Sequence, residues 1–229
     1  MTIATSLIYR SAIDGMEKLK QENPSLITLF DNLNDYGDLI LIGGAVRDFA
    51  YQKAPRDLDI IVNSKSSDLD KAFDNFNYRK NRFDGYKVIV NEVELDIWSI
   101  QNNWAFREKI LKARVDNIPK GTFYNFDSIS INLNTADVYA DNFIESIKDR
   151  KLDITLRDDY ISLNPTPEVN IMRALVIKKY WGLSFSNKVI NYINDWLNKV
   201  DSPYELLTKA EIKHYGNRKL SFEDYKMLF

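Results

Sequence analysis

The stretch "LIGGAVRDFAYQKAPRDLDIIV", residues 41–62, restricts the fold more than any other part of the chain. An apolar run that stops at Gly43-Gly44 and passes into "AVRDFAYQ" predicts a buried strand feeding directly into a helix. The run "DLDIIV" then predicts a second strand. A strand alternates its faces, so Asp57 and Asp59 share one side and Leu58 and Ile60 the other. A sheet with a helix between its strands, carrying two acids on one face, is the frame the rest of the chain must complete.

Each half of this stretch has a chemical reading and a plain one. Glycines at a strand–helix junction leave unpaired backbone N–H groups at the positive end of the helix and let an anion come close, and Arg47 in the first turn adds a charge-assisted donor. The same glycines also serve as an ordinary turn. Asp57 and Asp59 side by side repel each other, which a divalent cation between them would relieve. The same pair also fits a solvated edge strand. A third carboxylate comes from "VELDIWSI", where Glu94 and Asp96 share a face. Spacing leaves their order open. Three carboxylates holding two Mg²⁺ suit in-line displacement at phosphorus.

Composition narrows the chemistry. The 229 residues contain no cysteine and a single histidine, His214. Thiolate zinc sites, two-histidine metal sites and a cysteine nucleophile are therefore excluded, and a catalytic metal must be a hard cation held by carboxylates. His214, in "KAEIKHYGNRK", reads as a residue near a helix end. Net charge is −2, with 12 Lys+Arg against 10 Asp+Glu in residues 151–229 and 19 against 23 before them. This permits a local basic groove in the C-terminal part. No apolar run reaches the length of a membrane span and the N-terminus lacks a secretory pattern, so a soluble, cytoplasmic protein with no membrane partner is expected.

Along the chain, Ser6–Lys20 and Ser25–Leu33 have helical spacing, with "ENP" between them. "SSDLDKAFDNF" predicts a helix capped by its serines. "YKVIV" and "VELDIWSI" predict a hairpin around "NE", and "DSISINLN" with "DVYA" a further pair. From about residue 145 the apolar period changes from two to 3.6. "TPEVNIMRALVIKKYWG" predicts a helix closed by Gly182; "SNKVINYINDWLNKV" places Val189, Ile190, Ile193, Trp196, Leu197 and Val200 on one face; "SFEDYKMLF" opens with a capping-box pattern. The expected organisation is a mixed α/β head, residues 1–155, followed by a helical region, 156–229. Trp98 and Trp104 read as core-edge residues, with base stacking as the alternative. The basic clusters in residues 106–114 and 212–219 read as solvated helix faces.

"GGAVRD", eight residues, then "DLD" before an apolar run resembles the head domain of tRNA CCA-adding enzymes and bacterial poly(A) polymerases, within the DNA polymerase β-like nucleotidyltransferase superfamily. "SISINLN" is similar to the family's Thr-Ile-Asn strand, and Arg173-Ala174-Leu175 to its neck helix. The resemblance implies a polymerase β-like α/β head with a mixed sheet and a C-terminal helical neck. It implies a nucleoside triphosphate such as ATP on Gly43, Gly44, Arg47 and Arg173, with Lys178 behind Arg173. Asp57, Asp59 and Asp96 would hold two Mg²⁺, with Glu94 in reserve for Asp96. The acceptor it implies is an RNA 3′ end, tRNA among the candidates. The family's Glu-Asp-x-x-Arg base-choosing motif falls at Thr166–Asn170, which reads "TPEVN", and its paired arginines give way to residues around "NFDSI". The nucleotide used and the acceptor therefore stay open. A nucleotidyltransferase acting on a protein hydroxyl, and a binding module that has lost catalysis, remain the alternatives.

Overall fold

A computed structural model describes residues 2–81 and 84–226. The chain divides into two compact units, residues 1–122 with 127–141, and residues 123–126 with 142–229.

In the first unit, two N-terminal helices precede the sheet. Helix α1, Ile3–Glu22, is capped by Thr2, whose Oγ1 accepts from the Thr5 amide at 3.2 Å, and ends before Pro24. It buries Ile8, Ala12 and Met16. Helix α2, Ser25–Asn34, buries Leu26, Leu29, Phe30 and Leu33 at helical spacing, each removed from water at roughly 1.5–3 kcal/mol.

Seven strands follow: β1 Leu39–Ile42, β2 Leu58–Val62, β3 Tyr78–Lys80, β4 Tyr86–Val90, β5 Val93–Ser99, β6 Ser130–Asn132 and β7 Val138–Tyr139. They form one mixed sheet in the order β3-β4-β5-β2-β1-β6-β7. Strands β2 and β5 are parallel and the other neighbouring pairs antiparallel. Both expected strand pairs form. The hairpin turns at Asn91 and Glu92, which take φ of 45° and 72°, matching the right-handed twist of its strands.

Helix α3, Gly44–Ala50, follows β1 directly, with Gly43 at its cap. Gly43 has φ 64° and ψ −130°, a conformation essentially confined to glycine, although an added Cβ would meet nothing closer than 3.9 Å. Gly43→Ala is therefore expected to lower stability by about 1–3 kcal/mol through backbone strain alone. A urea midpoint equal to that of the parent chain would show that this turn carries no strain.

One expected helix is absent. "SSDLDKAFDNF" makes a single 3₁₀ turn, Asp70–Phe73. The Tyr86 hydroxyl accepts from the Leu69 amide at 2.9 Å, and Phe73 stacks on the Tyr86 ring with centroids 4.5 Å apart. Tertiary anchoring of Leu69 and Phe73 fixes the segment before a second turn can form. A short helix, α4, Trp104–Arg107, follows β5; Trp104 packs against a core of Ile40, Ile61, Ile100, Ala105, Phe106 and Ile118.

The second unit is mainly helical. Helix α5, Asp141–Lys148, precedes a parallel strand pair, β8 Lys151–Leu152 with β9 Ser184–Phe185. A short α6, Asp158–Ile161, leads to α7, Pro167–Trp181, which buries Ile171, Met172, Ala174, Leu175 and Ile177 and stops at Gly182 in the left-handed conformation. Helices α8, Asn187–Leu197, α9, Pro203–Tyr215, and α10, Phe222–Lys226, complete it. On α8 Val189, Ile193 and Trp196 are buried while Ile190 is 42% exposed, a narrower apolar face than the spacing suggests. Ahead of α10 the expected reciprocal cap forms: the Ser221 amide donates to Asp224 at 2.6 Å and the Asp224 amide to Ser221 Oγ at 3.3 Å. Residues 227–229 of that motif lie outside the described residues. The units divide at 141/142, earlier than residue 155, because the segment after 141 pairs its strand with β9 and packs on α7. No described helix is long and apolar enough to cross a membrane.

Candidate active site

The register of the sheet gathers the acids. Parallel strands β2 and β5 place Asp59 opposite Asp96 and Leu58 opposite Leu95. Paired residues in register point to the same side. Asp57, just before β2, and Glu94 therefore lie on the Asp59–Asp96 side, while Leu58, Ile60, Leu95 and Ile97 are buried on the other. Carboxylate oxygens of Asp57, Glu94 and Asp96 lie within 4.8 Å of one another, and all three residues are half-buried. Asp57 and Asp96 are thus brought together, and Glu94 stands beside Asp96 as a second acid from the same strand. Asp59 is half-buried in register with Asp96 but outside this trio.

Two cations sit on the cluster. The β4–β5 hairpin places Lys87 opposite Asp96. Its ammonium pairs with Glu94 and lies 3.4 Å from Asp96 Oδ2. Arg56 holds Asp57, with Nη2 at 2.6 Å and Nε at 3.1 Å from Oδ2. Burial raises the Asp96 pKa; Lys87 opposes the rise, and the charges of Asp57 and Glu94 add to it. Burial pulls Lys87 down, but Glu94 and Asp96 outweigh it and leave its pKa raised.

The glycine turn is built differently from a bare cradle. The Gly43 amide donates to the Ile129 carbonyl at 2.9 Å, tying the turn to the segment leading into β6. The Arg47 guanidinium donates to Asp127 Oδ1 at 2.6 Å and to Asp48 Oδ1 at 3.0 Å. Burial raises the Asp48 pKa, against the pull of Arg47. Gly44 opens α3, and helix geometry leaves the first-turn N–H groups without intrahelical acceptors.

The remaining expected residues are accounted for in turn. Arg173 and Lys178 lie on α7 of the second unit. Asn170, where the resemblance leads one to expect an arginine, is buried; its side-chain Nδ2 donates to Asn164 Oδ1 at 2.9 Å, and its backbone carbonyl accepts from the Tyr124 hydroxyl at 3.0 Å. Burial pushes the pKa of Tyr192, which also accepts from Asn170, up to about 12. Trp98 is half-buried with its indole over Gly85. His214 lies at the end of α9 against the Tyr215 ring, 4.6 Å between centroids. A cleft of about 730 Å³ opens in the second unit beside Tyr192, Trp196 and Lys188, and holds none of the clustered acids.

Sequence reasoning passed over Lys87, Arg56 and Asp127. For Lys87 a signal existed: a two-residue turn at Asn91-Glu92 dictates that residue 87 faces residue 96. Asp127 carried none, since its partner Arg47 is 80 residues away.

Residues 39–119 match the poly A polymerase head domain family. No curated protein matches the sequence significantly. Among solved structures, the chain is similar to a Thermotoga maritima CCA-adding enzyme complexed with tRNA, at TM-score 0.60 and 14% identity over 83% of this chain and 46% of that one. It is similar to a CCA-adding enzyme in complex with CTP at TM-score 0.62 and 15% identity, covering 93% of this chain and 52% of the other. A complex of a CCA-adding enzyme with ATP matches at TM-score 0.63 and 16% identity, covering 92% and 53%. The chain spans about half the length of these structures, and the likeness is one of fold.

Proposed function

Taking residues 39–119 as a divergent poly A polymerase head domain with the nucleotidyltransferase fold, we propose that the protein is a metal-dependent nucleotidyltransferase. It would move a nucleoside monophosphate from a triphosphate to a hydroxyl, with an RNA 3′ end, such as that of tRNA, as acceptor. The observation that carries this reading is the convergence of Asp57, Glu94 and Asp96 from two parallel strands beside the glycine turn. Three close, half-buried carboxylates form an all-oxygen donor set suited to a hard cation such as Mg²⁺.

In this proposal Asp57, Asp59 and Asp96 hold two Mg²⁺, with Glu94 as the further acid on β5. When bound, such cations would neutralise charge at the triphosphate and lower the pKa of the acceptor hydroxyl. The hydroxyl oxygen bonds to the α-phosphorus, the bond to the β-phosphate oxygen breaks, and pyrophosphate leaves. Asp96 would lie near the attacking oxygen and accept its proton. Gly44 and Arg47 face the triphosphate; Gly43 contributes its backbone conformation, since its amide is already bonded.

The buried Asn170, its side-chain NH₂ held by Asn164, favours loose base choice, because neither an arginine nor a carboxylate stands there to read a Watson–Crick edge. The test is Mg²⁺-dependent release of pyrophosphate from each of the four nucleoside triphosphates, with total RNA as acceptor. Release is expected, with less than tenfold discrimination among the bases. Absence of release from all four, with nucleotide still bound, would replace this reading with that of a binding module. Label transferred to protein in place of RNA would make the acceptor a protein hydroxyl.

A further inference from the structure

Lys87 has a position that the proposed reaction leaves unused. Its strand pairs in register with β5, so its stem lies over the face that carries Glu94 and Asp96. The ammonium pairs with Glu94, approaches Asp96 to 3.4 Å, and its side chain is only 31% exposed. Arg56 holds the third acid, Asp57. Every member of the trio therefore has a cation from its own chain beside it.

We propose that Lys87 is an internal rival of the metal: it neutralises Glu94 and Asp96 in the free protein and must leave them when a divalent cation enters the cluster. This inference rests on the cluster being the metal site proposed above. An ammonium and a divalent cation sharing the same carboxylate oxygens repel one another at close range, and in a half-buried site that repulsion is only weakly screened. Arginine would hold such acids through a rigid fork, whereas lysine is a point charge on a flexible four-carbon stem and can swing away. Once released, the ammonium becomes a donor for an incoming triphosphate. Metal and nucleotide should then bind cooperatively, because the nucleotide stabilises the displaced position of Lys87.

The experiment is Mn²⁺ binding to the full chain, followed by electron paramagnetic resonance without nucleotide. Lys87→Met removes the charge and keeps most of the stem; it is expected to tighten Mn²⁺ about tenfold. Lys87→Arg keeps the charge and grips the acids through a fork that does not swing away, so it should bind Mn²⁺ about threefold or more weakly than the parent. Adding a non-hydrolysable triphosphate should tighten Mn²⁺ in the parent chain and do so less in Lys87→Met. Circular dichroism verifies folding, and Lys87→Gln serves in its place if the methionine variant does not fold. Equal or weaker Mn²⁺ binding by the uncharged variants overturns the role of Lys87 while leaving the metal site standing. Loss of detectable Mn²⁺ from parent and variants alike overturns the metal site itself, and this inference with it.

Discussion

Asp57→Asn is expected to lower Mg²⁺-dependent pyrophosphate release by ~10³-fold or more, the scale of losing a group that acts directly on transition-state charge. The substitution keeps the shape of the side chain and removes one anion from a cluster whose oxygens lie within 4.8 Å of each other. Two unit charges at that separation repel by roughly 3 kcal/mol at an effective dielectric of about 20, a figure that Arg56 and Lys87 reduce. The folded protein should therefore melt at the same temperature as the parent or slightly above it. Activity would collapse while stability held, which separates a functional acid from a structural one. Undiminished pyrophosphate release from a folded Asp57→Asn would remove Asp57 from the site, and an equal loss of stability and activity would assign it a structural role.

Glu211→Ala should produce the largest loss of stability of any single change considered, about 3–5 kcal/mol. Glu211 is fully buried on α9 and holds the segment 218–225. One carboxylate oxygen accepts from the Lys219 and Leu220 amides, the latter at 2.6 Å. The other accepts from the Tyr225 hydroxyl at 2.8 Å and pairs with Arg218 at 2.9 Å. Burial and the neighbouring Glu211 raise the Tyr225 pKa, so the hydroxyl stays a donor. Removing the carboxylate leaves two backbone N–H groups, a hydroxyl and a guanidinium without their shared acceptor. Hydrogen exchange should then speed up first in residues 216–226, ahead of the sheet. Denaturation within about 0.5 kcal/mol of the parent, with unchanged exchange there, would mean that this clasp contributes nothing net.

Much of the head was legible in the sequence, for identifiable reasons. Short apolar runs marked β1 and β2, which are buried almost throughout, and alternation marked β4 and β5, which are each buried mainly on one face. The helix closed by Gly182 was legible because a left-handed stop leaves few options but glycine. The segment at Asp70–Phe73 was not, because its helical spacing yields to anchoring by Tyr86 on strand β4. The buried clasp of Glu211 was likewise invisible, since a glutamate in an amphipathic helix reads as a solvated charge until the chain folds back on it.

The candidate site divides the same way. Sequence alone determined that Asp57 and Asp59 share a face, that Glu94 and Asp96 share another, and that Gly43-Gly44 ends a strand, since these follow from the period of a single strand and the sterics of a single residue. Only the tertiary structure decided which acids meet and what they meet. The parallel pairing of β2 with β5 spans more than thirty residues, and no local pattern sets which residue of one strand faces which of the other. That register puts Asp96 against Asp59 and gathers Asp57 and Glu94 around it, while the adjoining hairpin lays Lys87 across the cluster. Charge in a sequence is a list of signs; its energy depends on distance and burial, and both come from the packed sheet.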